Sequence, residues 1–128
     1  MYCLDTNTVI DIFRGDRALK EKVEKASDAG IFITSITLCE LYKGAYLSKE
    51  AEKSLNEINT FLLYFDSLDL TRDACEIFGK EYSRLQKLGK NTEELDLIIA
   101  SIAKANNLTL ITRDQKHFEN INIKKEIW

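Results

Sequence analysis

Asp5, Glu40, Asp96 and Asp114 each stand where an apolar run begins or ends. Asp5 closes Met1-Tyr2-Cys3-Leu4, Glu40 follows Leu38-Cys39, Asp96 precedes Leu97-Ile98-Ile99-Ala100, and Asp114 ends Leu110-Ile111-Thr112-Arg113. In an α/β protein, strand ends and helix starts gather along one edge of the sheet, so acids placed there share a pocket. Two carboxylates about 4 Å apart repel by about 4 kcal/mol at an effective dielectric near 20. A bound cation or raised pKa values must relieve that repulsion, and the cation is the simpler solution. All-oxygen ligation suits Mg²⁺ or Mn²⁺, and the lack of a His/Cys cluster argues against zinc.

Alternating elements would position these acids. Tyr2 to Leu4 reads as a buried strand, followed by a helix that Thr6 caps and Gly15 stops. Leu19, Val23 and Ala26 recur at helical spacing before Gly30. Ile31 to Thr34 is a second strand, then helices are expected over 35–46 and 49–63. Tyr64 to Leu70 is a third strand, and Thr71 caps a long helix ending near Gly89. Thr92 caps a helix with the stripe Leu95, Ile98, Ile99, Ile102 and Ala103, Leu108 to Thr112 is a fourth strand, and the tail from Ile121 offers a fifth. Strands alternating with helices imply a three-layer α/β/α sandwich around a parallel sheet of four or five strands.

Bulk properties suit one domain over residues 1–128, long enough to bury roughly two-thirds of its unfolded surface. No apolar run reaches the roughly 18 residues of a membrane span, and no signal peptide is evident, so cytoplasmic residence is expected. Cys3, Cys39 and Cys75 form no C-x-x-C pair and read as small buried hydrophobes. A net charge of −3 excludes a global basic field, though not a local basic rim that holds one strand.

Each acid also has a structural reading. Asp5 and Asp114 can cap helices, Thr37 and Glu40 match a capping box, and Asp96 suits the dipole of a helix start. Taken together these readings weaken, because Glu40 and Asp96 sit among apolar neighbours that suit coordination better than solvation. Glu93 and Glu94 read as a solvated helix start, though one could supplement the site beside Asp96, and His117 reads as a surface or packing residue. Lys80, Arg84, Lys87 and Lys90 form a basic helix side that solvent or an RNA backbone could meet.

The blocks Leu4-Asp5-Thr6-Asn7, Ser35-x-Thr37-x-x-Glu40-Leu41 with Gly44, Asp96-Leu97-Ile98-Ile99-Ala100, and Ile111-Thr112-Arg113-Asp114 with His117-Phe118 together resemble the PIN-domain nucleases. The length resembles the VapC toxins of prokaryotic toxin–antitoxin pairs. This resemblance implies an α/β/α fold, Mg²⁺- or Mn²⁺-dependent RNA cleavage by metal-activated water, and neutralisation by a VapB-type antitoxin. It places the family's acidic site, catalytic and metal-binding, on Asp5, Glu40, Asp96 and Asp114, with Asn7 and Thr112 as polar supports. Lys43 and Arg113, each near a site acid, are the candidate RNA contacts. A homodimer is expected too. Surplus apolar residues, Ile10, Ile12, Phe13, Leu38, Leu41, Tyr42 and Tyr46, could line a groove for an amphipathic partner segment.

Rival readings are a catalytically weak PIN-like RNA-binding module and a phosphoacceptor signalling domain. The second needs a further acid beside Asp5 and a Lys near the last strand. Thr34 and Thr112-Arg113 occupy the relevant strand ends instead.

Overall fold

The computed structural model describes residues 1–128. Strand β1 (Tyr2–Leu4) leads into α1 (Thr6–Phe13) and α2 (Arg17–Ala26), and a short 3₁₀ turn (Ser27–Ala29) precedes β2 (Ile31–Thr34). Helices α3 (Ser35–Leu47) and α4 (Ala51–Phe61) lead to β3 (Asp66–Leu68), followed by α5 (Arg72–Lys87) and α6 (Glu94–Ala105). Strand β4 (Thr109–Ile111), the short α7 (Gln115–Phe118) and β5 (Lys125–Glu126) complete the chain. The strands form one parallel sheet in the order β3-β2-β1-β4-β5. No helix is long and apolar enough to cross a membrane.

Strand alternation divides the core in two. Successive side chains on a strand point to opposite faces. Leu4, Ile31, Ile33 and Ile111 therefore pack with Val9, Leu19 and Val23 on one face of the sheet. Cys3 and Leu110 pack with Leu85, Leu97, Ile99 and Ala103 on the other. Helices thus cover both faces, the expected three layers.

Local signals set the boundaries. Asp16, Thr34 and Thr71 cap α2, α3 and α5, each side chain accepting an N–H from the first turn. Asp5, rather than Thr6, caps α1. Thr92 caps nothing, because Glu93 takes the cap position of α6 and makes no side-chain cap bond. Gly30 adopts φ 86° between the 3₁₀ turn and β2, a left-handed conformation that strains any other residue. Asn107, at φ 55°, turns the chain out of α6 into β4.

One expectation from composition fails. Cys3 is buried, but Cys39 and Cys75 are exposed on α3 and α5. Helical spacing turns both away from the sheet, which no local signal around a cysteine reveals.

Candidate functional site

Strand order places the site. β1 and β4 are neighbours, and the Asp5 N–H donates to Ile111 O at 3.0 Å, so their pairing ends at the first acid. In this order the chain leaves β1 toward β2 on one side and returns as β4 on the other. Such a reversal opens a crevice beyond the carboxyl ends of the two strands.

Asp5 lies in that crevice, 3% exposed. Its Oδ1 accepts the Thr8 N–H at 2.8 Å and its Oδ2 accepts the Thr112 hydroxyl at 2.6 Å. Thr112 is fully buried, and its oxygen also accepts the Asp114 N–H at 3.0 Å. One threonine at the end of β4 therefore orients the Asp5 carboxyl and ties down the backbone of Asp114. Burial pushes the Asp5 carboxyl upward, the hydrogen bonds from Thr112 and Thr8 oppose this, and the charge of Asp114 adds to it.

Glu40 approaches from α3. Thr6 donates to its Oε1 at 2.8 Å, and Thr6 and Thr37 hydroxyls meet at 3.1 Å. The Thr34 hydroxyl donates on to Thr37 at 3.4 Å. Each hydroxyl has one proton, so the donors run in one direction, from Thr34 through Thr37 and Thr6 to the carboxylate. Glu40 is thus held by a side chain of α1 rather than by the backbone of its own helix start. Thr6, Thr34 and Thr37 are the supports that sequence reading missed; three threonines near acid-bearing segments were the available signal.

Asp96 comes from the first turn of α6, facing Asp5 and Glu40. Its Oδ2 is sealed from solvent and accepts no hydrogen bond. His117 Nδ1 lies 3.1 Å away but off the line of a hydrogen bond. Burial first, then Glu93, Asp5 and Glu40, push the Asp96 carboxyl up from 3.8 to about 6, while His117 pulls it down. Glu81 supplies a contrast. It is also buried, yet Arg84 bonds it at 2.5 Å and the Asn122 N–H at 2.6 Å, which hold its carboxyl below the usual range. Glu81 is satisfied by its hydrogen bonds; Asp96 Oδ2 has none.

Asp114 caps α7 through a 3.2 Å bond from the His117 N–H, and its Oδ2 lies 3.2 Å from His117 Nδ1. His117 is therefore not a bystander, since its ring stands between two of the acids. Glu93, one of the two acids that could supplement the site, offers a ligand atom to a group with Asp96 and His117 whose atoms all lie within 4.8 Å of one another.

Other expected residues go elsewhere. Asn7 is exposed and supports no acid. Arg113 is turned away: it pairs with Asp11 at 3.4 Å and more closely with Asp16, tying β4 to the corner between α1 and α2. Lys43 stays exposed on α3 without an ion-pair partner. Of the basic helix side, Arg84 is committed to Glu81 and to Asn120 O, and Lys80 pairs with Glu76 at 3.5 Å.

The supposed surplus of apolar residues divides. Leu41 is buried in the core, Ile10, Leu38 and Tyr42 pack partly against it, and Tyr46 is exposed. Ile12 and Phe13 do line an open groove of about 1460 Å³, with Val23, Phe61, Tyr64 and Phe65 from α2, α4 and the chain beyond.

Comparison with known proteins agrees with the fold. Residues 2–124 match the PIN domain family. The ribonuclease VapC2 of Haemophilus influenzae is 34% identical over 99% of this chain and 97% of its own length. The tRNA(fMet)-specific endonuclease VapC of Shigella flexneri is 28% identical over 99% of this chain and 97% of its own. Among solved structures, VapBC2 from Rickettsia felis bound to a DNA fragment from its promoter superposes with a TM-score of 0.94, at 30% identity over 99% of this chain and 98% of that one. DNA-bound VapBC from Salmonella typhimurium gives 0.94 at 29% identity, over 99% and 97%. The chain belongs to the PIN domain family, among the VapC ribonucleases.

Proposed function

We propose that residues 1–128 form a single PIN-domain endoribonuclease dependent on Mg²⁺ or Mn²⁺, the toxin of a toxin–antitoxin pair. Asp96 carries the reading: it is an acid raised by burial and by three like charges, with one sealed oxygen unpartnered, facing Asp5 and Glu40. A carboxylate set of this kind fits a hard divalent cation. Asp5 and Asp96 would hold the ion, with Glu40 and Asp114 completing the set. Once bound, the cation supplies Lewis acidity, acidifying water and offsetting charge on the scissile phosphate.

The chain's own groups prepare the site. Thr112 holds the Asp5 carboxyl and the backbone of Asp114, and Thr6 holds Glu40, so these groups are positioned in advance. Lys43, exposed on the same helix as Glu40 and without an ion-pair partner, is a basic residue available to an RNA phosphate. This assignment favours a nuclease over a binding module, because a module without chemistry gains nothing from a strained acid.

The antitoxin proposal rests on the relatives and on the groove. Solved structures similar to this chain are VapBC complexes, and the Rickettsia felis and Salmonella typhimurium ones are bound to DNA. Ile12, Phe13, Val23, Phe61 and Phe65 offer an apolar strip for an amphipathic segment of a VapB-type partner, rimmed by Lys20 and Glu57. A homodimer would present two such grooves.

Cleavage of RNA by the purified chain with Mg²⁺ or Mn²⁺, leaving 5′-phosphate ends, tests the chemistry. Co-expression with the adjacent small reading frame tests the partner. Loss of cleavage in a co-purifying complex is expected. Wild-type cleavage by both Asp5→Asn and Asp96→Asn would overturn the site assignment.

A further inference from the structure

We infer that His117 is a ligand of the cation, so that the site is a mixed nitrogen–oxygen seat selecting a divalent transition metal over Mg²⁺. The inference rests on the reading that the acid cluster holds a cation, and it adds a residue to that cluster. Its basis is the position of the ring. His117 Nδ1 lies 3.1 Å from Asp96 Oδ2 and 3.2 Å from Asp114 Oδ2. Adjacent donors around an octahedral ion, each about 2.1 Å from it, stand about 3 Å apart. The two observed spacings match that edge. Asp96 Oδ2 has no hydrogen-bond partner, so it is free to face an ion beside the nitrogen. Glu93 places a fourth donor at the rim.

The ring is also firmly placed. His117 belongs to α7, where its N–H is taken by Asp114 Oδ1 at 3.2 Å. The next residue, Phe118, is 1% exposed and anchors the turn in the core. Lys125 Nζ then donates to Phe118 O at 2.6 Å and to Ile121 O at 3.2 Å, fixing the exit of the turn. A surface histidine with no task would not need this support. The side chain is 48% exposed, and Nδ1 is the nitrogen that stands beside the two carboxylates.

The chemical consequence is selectivity. Carboxylates and water suit Mg²⁺ and Mn²⁺ alike, whereas imidazole favours the later ions of the first transition series. One nitrogen among oxygens would therefore bind Mn²⁺, and more tightly Co²⁺, over Mg²⁺.

The alternative is that His117 serves as a resident positive charge that neutralises Asp96 and Asp114 without ever touching an ion. The two roles predict opposite signs. A ligand lost weakens metal binding, whereas a competing cation lost strengthens it. Because His117 is the only histidine in the chain, nitrogen coupling can be assigned without ambiguity in tag-free protein. The full chain would be titrated with MnCl₂ and MgCl₂ by calorimetry, as wild type and as His117→Gln. Its Mn²⁺ complex would be measured by pulsed EPR with natural and ¹⁵N-labelled histidine.

We expect a histidine nitrogen coupling that changes with the isotope, and a Mn²⁺ dissociation constant raised about tenfold or more in His117→Gln. The Mg²⁺ constant should move by no more than about twofold. Bound Mn²⁺ without nitrogen coupling, or tighter Mn²⁺ binding by the variant, would overturn the ligand role while leaving the acid site standing. Wild-type protein that binds no Mn²⁺ at millimolar concentration would overturn both.

Discussion

Asp96→Asn offers the sharpest test of the electrostatic argument, because it should make the metal-free protein more stable while removing its activity. In the folded chain the Asp96 carboxyl is raised from 3.8 to about 6. At pH 7.5 it is therefore ionised at a cost the unfolded chain does not bear. At about 1.4 kcal/mol per tenfold change in the protonation equilibrium, the rise caps that cost at about 3 kcal/mol. The side chain is 18% exposed and water reaches the cluster from one side, so screening reduces the cost to about 1–2 kcal/mol. Asn keeps the shape and carries no charge. For a domain of this size the gain corresponds to a melting point about 3–8 °C higher in EDTA. The pH dependence follows from the direction of the shift. A carboxyl raised by folding is protonated in both states below 3.8, loses stability as pH climbs toward about 6, and carries the full penalty above that. The advantage of the variant should thus be absent at pH 3.5 and complete at pH 7.5, as read by melts at stepped pH. Saturating Mn²⁺ should reverse the order, since wild type would gain about 2.7 kcal/mol at a hundred times its dissociation constant and the variant much less. A variant less stable than wild type at pH 7.5 in EDTA, with no pH dependence in the difference, would refute the idea that Asp96 is held against its preference.

Thr112→Val should cost about 1–3 kcal/mol, because it removes a donor from Asp5 and an acceptor from the Asp114 N–H in a fully buried place; denaturant melts would check this. Thr6→Ala should slow RNA cleavage and leave the fold cooperative, since Glu40 would lose its 2.8 Å hydrogen bond and its aim; equal rates would show that the hydroxyl chain is incidental. Lys43→Ala should weaken RNA binding and flatten its logarithmic salt slope by about one, measured by fluorescence anisotropy. Arg113→Ala should leave that slope alone and instead speed amide exchange at Leu19, whose N–H is held by the Asp16 carboxylate that Arg113 secures.

Much of this protein follows from short-range rules that a chain carries on its surface. Near-continuous apolar runs in Tyr2–Leu4, Ile31–Thr34 and Leu108–Thr112 imply strands buried on both faces, and Asp16, Thr34 and Thr71 cap helices through bonds spanning only three residues. The same locality explains why Asp5, Glu40, Asp96 and Asp114 could be singled out: a charge at the end of an apolar run is visible without knowing its neighbours. Tertiary structure decided what each side chain meets. Thr112 reaches Asp5 across 107 residues and Thr6 reaches Glu40 across 34, contacts that exist only because β1 lies between β2 and β4. Arg113, next in sequence to a site acid, is drawn to Asp11 and Asp16, because the corner between α1 and α2 folds against the end of β4. His117 looked like a surface residue until α7 turned its ring between Asp96 and Asp114. Cys39 and Cys75 looked apolar enough to bury, but helix phase faces them outward. Backbone preference and hydrophobic period act over a few residues and can be read along the chain. Charge pairing and ligand geometry act through space, and only the packed sheet brings those partners within reach.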